Sequence, residues 1–253
     1  MSIEDDDDLE GLKRAGAAVA EARDAMLAEV RPGVSTQELD EVGRAVLERH
    51  GARSAPKLAY NFPGWTCISV NADLAHGIPS RAKVLRSGDL VNIDVSAELD
   101  GYWADTGASA PVGTVAPRLH ELLRATKLAQ REAMGAARAG APMNVIGRAV
   151  EKRARKHRFE VIRNLGGHGV GRHIHEEPHV PNVFSRRDTL RLWEGLVLTI
   201  EPFLSTRARS VVEAGDGWTL RTPDGSLGAQ FEHTFVVMRG EPIVLTAALP
   251  TAA

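Results

Sequence analysis

With one cysteine, Cys67, in 253 residues, the chain cannot form an internal disulfide. No apolar run approaches the ~20 residues that a membrane-crossing helix needs. The N-terminal "MSIEDDDDLE" is acidic where a secretory leader would be basic and then apolar, so a soluble, cytoplasmic protein is expected. An excess of positive charge is also missing: 31 Lys and Arg stand against 33 Asp and Glu, a net charge of -2, and no general basic field for nucleic acid exists. The one basic stretch, "RAVEKRARKHR" at 148–158, reads as the solvated face of a helix. No shift of composition marks a linker, and 43% hydrophobic residues suffice for one substantial core. A single domain over 1–253 is expected, with residues 1–8 as a flexible acidic tail.

What is present is a repeated order of elements. Residues 9–30 form an Ala-rich amphipathic pattern stopped by Pro32-Gly33, and Ser35 with Glu38 makes a capping-box signature for a second helix ending near His50. The order recurs with helices predicted from about Pro117 to Arg138 and from about Asn144 to His157, separated by "AGAPMN". The string "GRAV" occurs in the second helix of each pair, at 43–46 and 147–150, which favours an internal duplication. Strand-like sequence follows each pair, predicting an α+β fold of two helix-helix-β halves with helices on one face of a largely antiparallel sheet. Polar functional groups would gather on the other face.

Four histidines, at 168, 173, 175 and 179, fall within "GGHGVGRHIHEEPHV". His175, Glu176 and His179 match the H-E-x-x-H spacing of zinc proteases, whose chemistry needs a helix so that both imidazoles converge on one ion. Pro178 inside the motif and the glycines before it oppose a helix, so that match is read as coincidence. "HIH" also has the spacing of a cupin strand, but Glu176 and Glu177 follow too soon and the long helices argue against that fold.

The strands carry a different signal. Asp94 and Asp105 flank a hairpin turn predicted at Asp100-Gly101. With the turn centred between residues 100 and 101 the two acids are one diagonal apart, and one residue earlier they are directly opposite, so either register puts them on one face. Two bare carboxylates that close repel unless a cation separates them. Glu201 in "VLTIEPF" and Glu232 in "AQFEHTFVV" repeat the pattern of one acid inside an apolar strand. Together with a histidine from "GGHGVG" they make an oxygen and nitrogen donor set without sulfur, suited to divalent Mn, Fe, Co or Zn, singly or as a carboxylate-bridged pair.

Six motifs in order, "PGVSTQELD", "TCISVNADLAHGIP", "GDLVNIDVSAELDGYWADTG", "GGHGVGRHIHEEPHV", "LTIEPF" and "AQFEHTFVV", resemble the type I methionine aminopeptidases over nearly the whole chain. The resemblance implies the pita-bread fold, two pseudo-symmetric halves forming a curved sheet covered by helices. It implies five metal ligands, Asp94, Asp105, His168, Glu201 and Glu232, holding two divalent ions. Asp105 and Glu232 would bridge, Asp94 would serve one ion, and His168 and Glu201 the other. Glu201 would also act as general base, with His76 and His175 as non-ligand catalytic and substrate-binding histidines. Phe62, Cys67, Ile174 and Trp218 would line the pocket for the methionine side chain.

The implied reaction is removal of the N-terminal methionine from peptides and nascent chains, with a small second residue preferred. The implied enzyme is a monomer that acts on N-terminal Met peptides and nascent chains, with association to the ribosome left open, no nucleic-acid substrate and no membrane. The pocket wall departs from the commoner pattern of Cys, Tyr, Tyr and Phe, having Pro56, Ala59, Phe62 and Ile174, which predicts a roomier pocket with two hydroxyls fewer. A proline-specific aminopeptidase of the same fold and a non-catalytic binding protein on the same scaffold are the alternatives.

Overall fold

The computed structural model describes residues 1–247. Its elements are α1 (Asp6–Ala28), α2 (Thr36–Arg49), β1 (Arg53–Ser54), α3 (Ala55–Tyr60), β2 (Cys67–Val70), β3 (Asp73–Ala75), β4 (Leu90–Leu99) and β5 (Tyr102–Pro111). There follow α4 (Pro117–Ala136), α5 (Asn144–Lys156), β6 (Glu160–Val161), β7 (Gly166–Gly169), β8 (Glu176–Pro181) and β9 (Val197–Ile200). The chain continues through β10 (Phe203–Ser205), β11 (Val212–Glu213), β12 (Leu220–Arg221), β13 (Gly228–Val236) and β14 (Ile243–Val244).

Three helices, α1, α2 and α3, begin at a side chain that satisfies a free N–H group. Ser35 and Glu38 form the reciprocal capping box at α2. At α1 the side chain of Asp5 accepts from Asp8 N, and three aspartates in the first turn face the positive end of the helix dipole. The acidic stretch expected to be a flexible tail is thus largely the start of α1. Ser2 bridges Leu196 and Ile3 N donates to Gly195 O, which fixes the residues before it.

Every described strand pairing is antiparallel, and the main path runs β1-β4-β5-β13-β9-β7-β8. The β4–β5 hairpin turns on Asp100 and Gly101, with φ of 52° and 84°, the pair of positive values that a two-residue type I′ turn requires. This closes the register in which Leu99 faces Tyr102, placing Asp94 opposite Gly107 and Asp105 opposite Ser96. Asp94 and Asp105 are therefore one diagonal apart.

Alternation sorts the side chains. On β4, Val91, Ile93, Val95 and Ala97 pack with Ala15, Val19 and Met26 of α1 and with Leu39 and Leu47 of α2. On β9 and β13, Leu198, Ile200, Ala229 and Phe235 pack with Leu122, Ala129, Ile146 and Val150 of α4 and α5. The two helix pairs thus cover one face of one sheet, each over its own half. Ile93 and Phe235 are fully buried, and truncating such a side chain to alanine costs about 2–5 kcal/mol. With a period of two, the intervening residues must face the other way.

Candidate active site

Those intervening residues are Asp94 on β4, Asp105 on β5 and Gln230 and Glu232 on β13. Glu232 pairs with Gly107, which is also the partner of Asp94. Glu201 lies between β9 and β10, which pair with β13 in one continuous register, Ile200 with His233 and Phe203 with Gln230, so Glu201 stands opposite Glu232. His168 on β7 is held beside Thr199, whose Oγ1 accepts from His168 N at 3.1 Å and lies 3.4 Å from Glu201 Oε1. Hydrogen bonding within the sheet and the β alternation deliver five residues far apart in sequence to one spot.

Ligand atoms of Asp105, His168 and Glu232 all lie within 4.8 Å of one another. His168 Nε2 is 3.7 Å from Glu201 Oε1 and 3.8 Å from Asp105 Oδ2. The other ring nitrogen, Nδ1, is 2.8 Å from Gly169 O, and a carbonyl can only accept, so Nδ1 carries the proton and Nε2 presents a lone pair to the acids. Burial, then the neighbouring His175, depresses the His168 pKa to about 3, so the ring is neutral at physiological pH.

The carboxyls are displaced in the opposite sense. Burial pushes Asp105, Glu201 and Glu232 well above the carboxylate range, and repulsion among the acids adds to it. Asp94 rises to about 6, chiefly from burial. Asp105 Oδ1 and Glu232 Oε1 are buried without a hydrogen-bond partner, a state that normally costs about 1–3 kcal/mol per group. Four acids, a lone pair and two orphaned oxygens are the donor set of a hard or borderline divalent cation, and these residues fit one.

Around this cluster lies an open cleft of about 520 Å³, walled by His76, His168, His175, His179, Glu177 and Asn164 among others. His76 has a left-handed backbone, with φ of 54°, and follows directly on β3. The ring of His175 is 4.3 Å from that of His168, centroid to centroid. A second cavity of about 220 Å³ opens beside Asp94 and Asp105 and is lined by Pro56, Tyr60, Phe62, Cys67, Ile174 and Trp218. Phe62 and Trp218 meet edge to face at 5.1 Å, and the Cys67 thiol is held protonated by burial and the nearby Asp94 charge. The four residues expected to form the apolar pocket therefore share one wall.

The expectation of a wall that has simply lost hydroxyls is corrected by Tyr60. Ala59 does not line the cavity, but its neighbour does, because α3 ends at Tyr60 with Asn61 in the left-handed conformation, φ 57°. The Tyr60 hydroxyl lies 2.5 Å from His175 Nδ1. The supporting residues Thr199, Gln230 and Asn182 were also missed. Gln230 Nε2 donates to Glu232 Oε2 at 3.0 Å, and Asn182 Nδ2 donates to the carbonyls of Leu165 and Glu201. A polar residue two positions before Glu232 on the same strand was a usable signal for Gln230, whereas nothing local marks Asn182.

The residues read as incidental occupy other places. Residues 176–181 form strand β8, so His175 and His179 do not share a helical face. His233 points to the helix side, where Nδ1 meets Thr246 Oγ1 at 2.9 Å. His179 stands in the cleft wall.

Comparison with known proteins gives a consistent result. The model of "Metallopeptidase family M24" matches residues 10–239. Methionine aminopeptidase 2 of Bacillus subtilis (strain 168) is 51% identical over 247 residues, which cover 97% of this chain and 99% of that protein. The crystal structure of methionine aminopeptidase from Rickettsia prowazekii superposes with a TM-score of 0.92 at 36% identity, covering 98% of this chain and 100% of the other. The prolidase from Pyrococcus furiosus shares the fold alone, with a TM-score of 0.76, 23% identity, and coverage of 98% of this chain but 66% of its own. The two-half antiparallel sheet with its helices is the pita-bread fold. By the family match, the near full-length relatives and a cluster of Asp105, His168 and Glu232 able to hold metal, the chain belongs to metallopeptidase family M24.

Proposed function

We propose that this protein removes the N-terminal methionine from peptides and nascent chains whose second residue is small, acting as a single catalytic unit in the cytoplasm. The observation that carries the reading is the largely apolar cavity opening beside Asp94 and Asp105, next to a buried cluster of acids with His168. A linear thioether side chain suits the Phe62, Cys67, Ile174 and Trp218 surface, since sulfur against aromatic and sulfur walls is a favourable soft contact. High identity to proteins named methionine aminopeptidase supports the same substrate.

In this reading Asp94, Asp105, His168, Glu201 and Glu232 would hold two divalent ions. When bound, such ions supply Lewis-acid polarisation of the scissile carbonyl, acidify water toward neutral pH and give the free α-amine an electrophilic partner. Glu201, beside His168 and opposite Glu232, takes the proton of the attacking water and passes it to the leaving amine. His175 donates to the developing oxyanion and His76 to the scissile amide region, contributions of about 10²–10³ in rate for one such donor. Further peptide residues leave through the wider cleft. The protein works as a monomer that meets nascent chains at the ribosome; among the described residues no helix is long and apolar enough to cross a membrane.

Mass spectrometry of short peptides incubated with the metal-reconstituted protein tests this. Met-Ala and Met-Gly peptides are expected to lose their first residue, Met-Lys and Met-Trp peptides to be cut poorly, and acetylated Met-Ala to survive. Preferential cleavage of Xaa-Pro peptides would move the protein to the proline-specific branch.

A further inference from the structure

We propose that Tyr60 is a positioning residue that fixes the tautomer of His175, so that the imidazole presents its Nε2–H to the substrate. The inference rests on the aminopeptidase reading for what His175 does, but its structural content stands on contacts within the chain.

Tyr60 closes α3 and leaves its hydroxyl 2.5 Å from His175 Nδ1. The rings lie 5.5 Å apart, tilted by 42°, so the contact is made at the ring edges, where the hydroxyl and Nδ1 lie. Tyr60 is about half exposed, and its hydroxyl has no other protein partner among the described residues. A phenol with one strong contact donates its proton, because imidazole nitrogen is a far better acceptor than phenolic oxygen. Nδ1 must then be the unprotonated nitrogen and Nε2 must carry the hydrogen.

The neighbouring histidine is set the opposite way. His168 Nδ1 donates to Gly169 O and leaves Nε2 as a lone pair, suited to a cation. Two imidazoles 4.3 Å apart are thereby given opposite Nε2 roles, acceptor on His168 and donor on His175, by one backbone carbonyl and one tyrosine. In each ring the partner of Nδ1 sets the role of Nε2.

The test uses the metal-loaded protein labelled with 15N-histidine, at a pH where the imidazoles are neutral. Two-bond 1H–15N correlations should report His175 as the Nε2–H tautomer in the wild type and as a mixture in Tyr60→Phe, with His168 unchanged. On a Met-Ala peptide, Tyr60→Phe should lower kcat about two- to fivefold, in step with the lost Nε2–H population and well short of the about 10²–10³ for removing an oxyanion donor outright, with KM and metal content near wild type. Tyr60→Ala, which also removes the ring, should not restore kcat. An Nδ1–H tautomer of His175 in the wild type, or an unaltered tautomer in Tyr60→Phe, overturns the proposal. So does a wild-type kcat in Tyr60→Phe. If the wild type cleaves no Met peptide, the aminopeptidase reading fails, while the tautomer measurement still decides the role of Tyr60.

Discussion

Gln230 fills the space above Gly107: a Cβ at position 107 would lie 2.2 Å from Gln230 Oε1. Gly107 is the cross-strand partner of both Asp94 and Glu232, and the Gln230 amide that occupies its place donates to Glu232 Oε2 at 3.0 Å. An added methyl has room only if that amide moves, which a flexible side chain can do without unfolding the sheet. Gly107→Ala should therefore keep its circular dichroism and lower divalent-metal affinity by about 10–100-fold, the usual effect of losing a group that orients a ligand. Titration calorimetry checks this, and unchanged affinity would show that Gln230 does not orient Glu232.

Asp105 and Glu232 each leave one buried oxygen unpaired. Changing either to its amide removes charge that would offset a cation, so Asp105→Asn and Glu232→Gln should lose metal occupancy and turnover together. The fold should be kept at neutral pH, since the change also removes a repulsion among buried acids. Near-normal turnover of Asp105→Asn at limiting metal would contradict a shared-carboxylate centre.

His168 and His175 are close in space and in sequence but should respond differently to removal. His168→Ala takes away the Nε2 lone pair beside Asp105 and Glu201, so metal content should drop and excess metal should partly rescue activity. His175→Ala should keep its metal and lose kcat by roughly 10²–10³, with no rescue. Metal analysis of the two variants decides, and loss of metal from His175→Ala and His179→Ala but not from His168→Ala would restore the H-E-x-x-H reading.

Without metal, the acids make stability depend on pH in a defined direction. Asp94 is raised from its ordinary 3.8 to about 6, and Asp105, Glu201 and Glu232 lie well above their usual values. The folded state thus keeps protons that the unfolded chain releases. This stabilisation is complete below the unfolded values and is lost as pH rises through the folded ones. His168 and His233, depressed to about 3, oppose this only below about pH 6.5, where unfolded imidazole takes up protons. Above about pH 6.5 the raised carboxyls set the slope, so the Tm of chelated protein should fall as the pH rises from there. Added divalent metal should flatten the decline; a chelated Tm that rises over this window would show that the acids are not buried together.

The start of α2, the hairpin and the face on which the acids lie were legible in the sequence. Capping at Ser35 and the turn at Asp100-Gly101 are local chemistry, and alternation along a strand carries Asp94 and Asp105 to one face whatever surrounds them. The six ordered motifs further pointed to the four acids and His168 by resemblance to a family. Which strands are neighbours, and what each side chain meets across the sheet, follows from the assembled fold. Glu201 stands opposite Glu232 because β9 and β10 share one register on β13, a pairing between segments some thirty residues apart that no local pattern encodes. The reach of Tyr60 to His175 depends on a left-handed Asn61 and on the segment before β8 bringing His175 to the end of α3, so the sequence displayed a lost hydroxyl at Ala59 but not the one regained beside it. Local steric rules act over a few residues, whereas these contacts join residues brought together only when the whole sheet has closed.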